Sequence, residues 1–406
     1  MEPDPVGDQD VAHRGKERAE EPADVPGELL GVELCRRLEG IPLAIELAAA
    51  RVNVLSVEQI LKLIDRRLSA YASGDRTAPE RQRTLGAAID WSFNLLDVDE
   101  RALLCRLSLF PVGFGLEAVV AVAGDEVDAL GLLARLVDKS LVNVDERRGE
   151  ARYRLLETTR DFAAQALCAS GDGAEARRAF VAWARALSSE CVRELTGPNQ
   201  AAWLERTGDE HDALLAALAL SLAEPSLRND ALELAASLAG YWQLRGYVRE
   251  GRVWLERAAA ASSDADERLR ASALRTAAAF ANMAGDIDRA EILYDEALAL
   301  ARSLGDAELI GRTLTNLAIT LRDRGRLDEA TAVGAEAVAF FRGLGHDQLL
   351  SIGLLNLGAI RLDAGSEDEA GVLFAECIEI KRRLGDRFGV ANALANLASV
   401  HKRRSE

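Results

Sequence analysis

From Leu304 onward the chain repeats at a constant step. Leu-Gly pairs stand at Leu304-Gly305, Leu344-Gly345 and Leu384-Gly385, and Asn-Leu pairs at Asn316-Leu317, Asn356-Leu357 and Asn396-Leu397, each spaced by 40 residues. Between them recurs a Gly, an acidic residue and an Ala, as in Gly285-Asp286-Ile287-Asp288-Arg289-Ala290, Gly325-Arg326-Leu327-Asp328-Glu329-Ala330 and Gly365-Ser366-Glu367-Asp368-Glu369-Ala370. A fixed period in this range belongs to stacked supersecondary units, none of which can bury its apolar face alone. The spacing therefore predicts an α-solenoid of tetratricopeptide-like repeats, an architecture whose usual work is binding. A related turn at Gly246-Tyr247-Val248-Arg249-Glu250 places the start of the array near Asn229, so that it covers residues 229–406. The last unit holds a single predicted helix, which reads either as a cap or as part of a longer chain.

Upstream, the pattern changes twice. Residues 1–27 carry Pro3, Pro5, Pro22 and Pro26 among many charges and few large apolar side chains, and read as a disordered tail. Residues 28–74 hold three predicted helices, the second opened by Pro42 at its first turn. A polar stretch from Asp75 to Glu80 reads as a module boundary. Beyond it, helical spacing over Leu85–Leu96, Asp99–Leu109, Leu116–Ala123 and Val127–Lys139 gives way to a period of two at Leu141, Val142, Asn143 and Val144. A charged turn and Tyr153-Arg154-Leu155 follow. Helices followed by a β-hairpin predict a winged-helix domain over 79–169. A helical connector spans 174–228. The fold class is therefore mainly α, with one small hairpin.

Among the 406 residues 66 are acidic and 49 are Lys or Arg, a formal net charge of −17, which opposes any chain-wide affinity for nucleic acid. Cys35, Cys105, Cys168, Cys191 and Cys377 lack CxxC spacing and read as buried thiols, with neither a zinc site nor a disulfide framework. The N-terminus is acidic where a signal peptide needs a basic start, and no apolar run is long enough to span a membrane, so a cytoplasmic location is expected. His13, His211, His346 and His401 have no nucleophile or second ligand at working spacing, and neither catalysis nor metal binding is expected of them.

Gly40-Ile41-Pro42-Leu43 with Ala44-Ile45-Glu46-Leu47 resembles the Gly-Leu-Pro-Leu motif of NB-ARC ATPases, in the form found in bacterial STAND regulators of the AfsR, MalT and LuxR-like type. The likeness continues through Asp90-Trp91-Ser92, Leu107-Ser108-Leu109-Phe110, Leu136-Val137-Asp138-Lys139-Ser140-Leu141-Val142, Tyr153-Arg154-Leu155-Leu156-Glu157-Thr158-Thr159-Arg160, and Trp203-Leu204 with Glu210-His211-Asp212. It implies that residues 28–74 are the helical remnant of an NB-ARC module, followed by a regulatory winged helix and a repeat sensor. Full-length relatives use ATP or ADP. Here 39 residues precede Gly40, too few for a nucleotide domain whose single βαβ unit takes about 30, and the one Gly-Lys dipeptide, Gly15-Lys16, has Asp10 where a phosphate loop needs Gly. Leu155-Leu156-Glu157 stands where plant-type relatives carry Met-His-Asp, and leucine cannot donate to phosphate. No cofactor is expected.

Three sets of residues are candidates for contact. Pro42 matches the proline that packs on adenine in NB-ARC proteins, and it equally suits a plain helix start. Asn316, Asn356 and Asn396 recur on one face of successive first helices, either bonding the main chain of an extended peptide or bonding between repeats. The winged helix has a possible DNA-reading helix at Val127–Lys139 and wing arginines Arg147, Arg148 and Arg152. Asp128, Asp138, Asp145, Glu146 and Glu150 offset that charge. The expected function is a non-enzymatic regulator or adaptor whose repeats bind a protein or peptide. Direct DNA binding through the winged helix, and a nucleotide-dependent ATPase completed by a partner subunit, are the alternatives.

Overall fold

The computed structural model describes residues 27–38, 40–72, 80–124, 127–261 and 266–405. Of the expected tail at 1–27 only Gly27 lies within them, as the first residue of a helix, and of the expected boundary Asp75–Glu80 only Glu80, which also opens a helix. Two compact units emerge, one comprising the residues up to Leu96 with Asp138–Ser140, the other the remainder.

Among the described residues the first unit has four helices, α1 (Gly27–Arg37), α2 (Pro42–Ala49), α3 (Val57–Ala72) and α4 (Glu80–Asn94). Leu34, Leu38, Ala44, Ala48, Ile60, Ile64, Ala88 and Trp91 form its core. Ser56 starts α3 with a capping box: its Oγ accepts from the Gln59 N–H at 3.3 Å, while the Gln59 side chain accepts from the Ser56 N–H at 2.9 Å. The sequence pattern assigned α4 to the winged helix. Ala88 and Trp91 instead point into the core of α1–α3, so the division falls at Leu96, about one helix later than the expected residue 79. The helical period announces an apolar face but not which neighbour covers it.

In the second unit the winged helix comprises α5 (Val98–Leu107), α6 (Leu116–Ala123), α7 (Ala129–Asp138), the antiparallel hairpin β1 (Asn143–Arg147) and β2 (Glu150–Arg154), and α8 (Glu157–Ala169). Asp97 and Glu100 close a reciprocal capping box on α5. Arg147 pairs with Glu150 across a two-residue turn, Arg148-Gly149, in which both residues take positive φ, 57° and 81°. That is the turn whose twist matches a hairpin. Phe114 bridges Tyr153 as a one-residue third strand.

A connector of α9 (Gly173–Glu194), α10 (Gln200–Asp209) and α11 (His211–Ala223) leads into helices stacked as pairs: α12 (Arg228–Arg245) with α13 (Val248–Ala261), α14 (Glu267–Met283) with α15 (Ile287–Ser303), α16 (Ala307–Asp323) with α17 (Leu327–Leu344), and α18 (Asp347–Asp363) with α19 (Glu367–Arg383). A last helix, α20 (Arg387–Ser405), packs on α19. Left-handed glycines at 285, 305, 325, 345, 365 and 385 end successive helices at 20-residue intervals. At each, the next residue's N–H reaches back five residues, as from Asp286 to the Ala281 carbonyl at 2.9 Å and from Asp306 to that of Ala301 at 3.1 Å. Asp286 and Asp306 then cap the following helix with their own carboxylates. Gly311 permits closest approach: a Cβ there would lie 2.6 Å from the Phe341 ring. Each first helix also touches the first helix of the next repeat, forming one continuous inner face of α12, α14, α16, α18 and α20.

Candidate interaction surfaces of the winged helix and the repeats

Phe110 fixes the winged helix to the connector. Its ring lies 5.0 Å from that of Phe114, 4.9 Å from Phe180 and 5.1 Å from Trp183, the last two on α9. Nearby, the Arg106 guanidinium donates to both carboxylate oxygens of Asp172 at 2.9 Å and to the Val122 carbonyl. This bidentate bond holds the Arg106 proton more tightly than usual. The helical connector and the winged helix thus share one core.

That junction sets the fate of the wing charges. Arg148 contacts Glu205 at 2.6 Å and Asp209 at 3.1 Å, Arg147 also reaches Asp209 at 3.1 Å, and Arg152 pairs with Glu210, whose residue is 7% exposed. All three carboxylates belong to or adjoin α10. On the same helix Arg206 pairs with Glu117 of α6. Arg154 pairs with Asp145 inside the hairpin at 2.8 Å. In α7, the helix expected to read DNA, Arg135 donates at 3.1 Å to Glu100, a side chain buried to 1% exposure. What α7 leaves exposed includes Leu130 and Ala134. Arg135, Arg147, Arg148, Arg152 and Arg154 of this domain thus each pair with a carboxylate of the same chain.

Pro42 opens α2 and is exposed, with Ile41 as the preceding cap residue in extended backbone. The three asparagines lie half-buried on α16, α18 and α20, as their spacing predicts, but their bonds differ. Asn316 and Thr320 bond the Tyr294 phenol of the preceding repeat, and burial pushes that phenol up to about 12. Asn396 donates to the Asn392 carbonyl at 3.0 Å within its own helix. Asn356 makes no side-chain hydrogen bond among the described residues. Asn316 thus gives an example of the inter-repeat bond, and the other two asparagines do not among the described residues.

Two arginines on the inner face carried no motif. Arg275 on α14 and Arg312 on α16 border a cleft between these first helices. The repeat alignment does mark Arg275, because the positions 40 residues apart hold Thr315, Leu355 and Ala395.

Of the cysteines, Cys105, Cys191 and Cys377 are buried as expected, and burial pushes the Cys105 thiol up to about 11. Cys35 and Cys168 are exposed, which corrects the expectation of five buried thiols: each sits on the outward side of its amphipathic helix. Among the described residues no group of His, Cys, Asp and Glu is placed to hold a metal ion, and no helix is long and apolar enough to cross a membrane.

Two family profiles match parts of this architecture. The family profile of the winged helix-turn-helix domain matches residues 96–168, beginning where the first unit ends, and that of the tetratricopeptide repeat matches residues 269–343. A protein of Mycobacterium tuberculosis whose name describes it as an HTH-type transcriptional regulator is 42% identical over 229 residues, 55% of this chain and 25% of that protein. An uncharacterized protein of the same organism is 49% identical over 147 residues, 34% of this chain and 37% of the other. The chain therefore spans about a quarter of the length of that regulator. Among solved structures, a STAND protein with a tetratricopeptide repeat sensor from Pyrococcus horikoshii aligns at 16% identity with a TM-score of 0.40, covering 89% of this chain and 57% of that one. The chain thus contains a winged helix-turn-helix domain followed by tetratricopeptide repeats, and is similar over about half its length to mycobacterial proteins named as HTH-type regulators.

Proposed function

We propose that this protein is a non-enzymatic, cytoplasmic regulatory or adaptor module whose repeat array binds a protein or peptide, with the winged helix relaying occupancy through packing. The observation that supports this most is the pairing of Arg147, Arg148 and Arg152 with connector carboxylates. Phosphate binding requires cations that can exchange counterions for DNA, and these are already engaged. The first helices of the repeats, by contrast, present polar side chains such as Asn356 along an open face. Peptide selection on the purified chain from a displayed random library tests the reading. Enriched sequences should lose binding when Asn356→Ala is introduced, and failure to enrich any sequence refutes the role of the repeats.

The name of the mycobacterial relative favours a second reading, direct DNA binding through the winged helix. Mobility shift against genomic fragments separates the two. A salt-dependent complex lost in an Arg147→Glu, Arg148→Glu variant would establish DNA binding; no complex at physiological salt is expected. The resemblance to NB-ARC proteins raises nucleotide binding, for which Pro42 is the candidate contact. Calorimetry with ADP and ATP should register no heat. Heat that disappears in Pro42→Ala would replace the adaptor reading with a nucleotide-dependent one.

A further inference from the structure

The cleft between α14 and α16 has a volume of about 300 Å³ and is bordered by Asp266, Arg268, Arg275, Glu308 and Arg312. Most of these charges are matched. Arg268 pairs with Asp306, Arg312 donates to Glu308 at 3.2 Å, and Asp266 caps α14 by accepting from the Arg268 and Leu269 N–H groups. Arg275 stands apart. No carboxylate lies within ion-pair distance among the described residues, its Nε is buried without a partner, and Nη2 reaches only the Thr276 hydroxyl at 3.4 Å. Burial, and then the like charge of Arg312, push its proton affinity down. A guanidinium withdrawn from water without a counter-ion is unfavourable, so its retention on an inner face calls for a reason.

We propose that this cleft receives a single carboxylate, an Asp or Glu side chain of a bound peptide, with Arg275 as the bidentate partner and Arg312 beside it. The inference rests on the repeats being the peptide-binding surface and names the chemistry they select. Arg268 is answered by Asp306 and Arg312 by Glu308, which leaves Arg275 as the one bordering guanidinium without a carboxylate among the described residues, and so a place for one carboxylate. A doubly charged phosphate would face Asp266 and Glu308. The planar fork of arginine matches the two oxygens of a carboxylate, and the volume fits one side chain with adjoining main chain. Arg312 and Asn316 lie four residues apart on α16 and share a face, and one repeat further Asn356, without a side-chain hydrogen bond among the described residues, has its amide available for peptide backbone.

Fluorescein-labelled nonapeptides on Ala, Ser and Leu backgrounds, in pairs differing only by Glu or Gln at the centre, provide the test by anisotropy with the whole chain. The Glu member of binding pairs should bind about tenfold tighter, as a charge-assisted bond predicts. Arg275→Gln should erase that preference, while Arg275→Lys keeps part of it. Circular dichroism melts report whether each variant is folded, and Arg312→Gln, at an exposed position, carries the test if Arg275→Gln does not fold. Equal binding of Glu and Gln peptides overturns the carboxylate site while leaving the repeats as a peptide surface. Binding of no peptide overturns both. Displacement of bound peptide by inorganic phosphate, at concentrations where acetate has no effect, overturns the carboxylate assignment in favour of a phosphate group.

Discussion

The wing and the inner face of the repeats both gather arginines, and the two regions treat them oppositely. At the wing, Arg152 is matched by a carboxylate from the connector and is largely enclosed, with side-chain exposures of 17% and 9% for the two partners. On the inner face Arg275 is enclosed without such a partner. Burial alone therefore does not distinguish structural from binding arginines. The distinction lies in whether the counter-charge is supplied by the same chain.

The largest effect should come from dismantling the junction that creates the wing pairs. Phe110→Ala removes a ring packed on three others, and should destabilise the second unit by about 3–5 kcal/mol, measured by urea denaturation. An unchanged midpoint would mean that winged helix and connector are held by something other than this core. Next, Glu210→Gln leaves Arg152 enclosed without its carboxylate, with an expected loss of about 2–3 kcal/mol. If stability is kept, the wing pairs are ornamental and the contrast with Arg275 collapses.

Arg275→Met should change stability in the other direction. Replacing an unmatched enclosed guanidinium by an apolar chain of similar length is expected to stabilise the free protein by about 1 kcal/mol, whereas Arg152→Met should destabilise it. Destabilisation by both would show that Arg275 is satisfied within the fold. The smallest effect concerns a cap. His346 accepts the Leu349 N–H on Nδ1 at 3.3 Å, in the repeat position where Asp306 caps α16 at 3.0 Å. His346→Asp should add about 0.5 kcal/mol through a better acceptor and favourable charge at the helix start, read as a raised melting temperature.

Much of the fold was legible before any coordinates. The αL glycines, the Asp caps and the 40-residue step act within a few residues, so their meaning survives without tertiary information. The hairpin was legible for the same reason, though the strands extend through charged residues to Arg147 and Glu150, where the period of two is masked by polar side chains on both faces. The assignment of α4 was not legible, because the apolar stripe with Ala88 and Trp91 suits either neighbouring core. The asparagine spacing placed Asn316, Asn356 and Asn396 on successive first helices, where their bonds proved unequal. Identical residues at identical positions inherit different neighbours from the repeat before, Tyr294 being the decisive one for Asn316.

The sequence alone determined the helical register, the repeat pitch and the presence of a wing, since these depend on period and on backbone preferences that each residue carries with it. Only the tertiary structure decided which charges are answered. Arg148 meets Glu205 across 57 residues and Arg206 meets Glu117 across 89, through an aromatic junction that no local pattern encodes. Arg275 remains unmatched because the acids near its cleft, Glu308 and Asp306, are taken by Arg312 and Arg268. Pairing is a property of distance in space, and distance in space is set by packing.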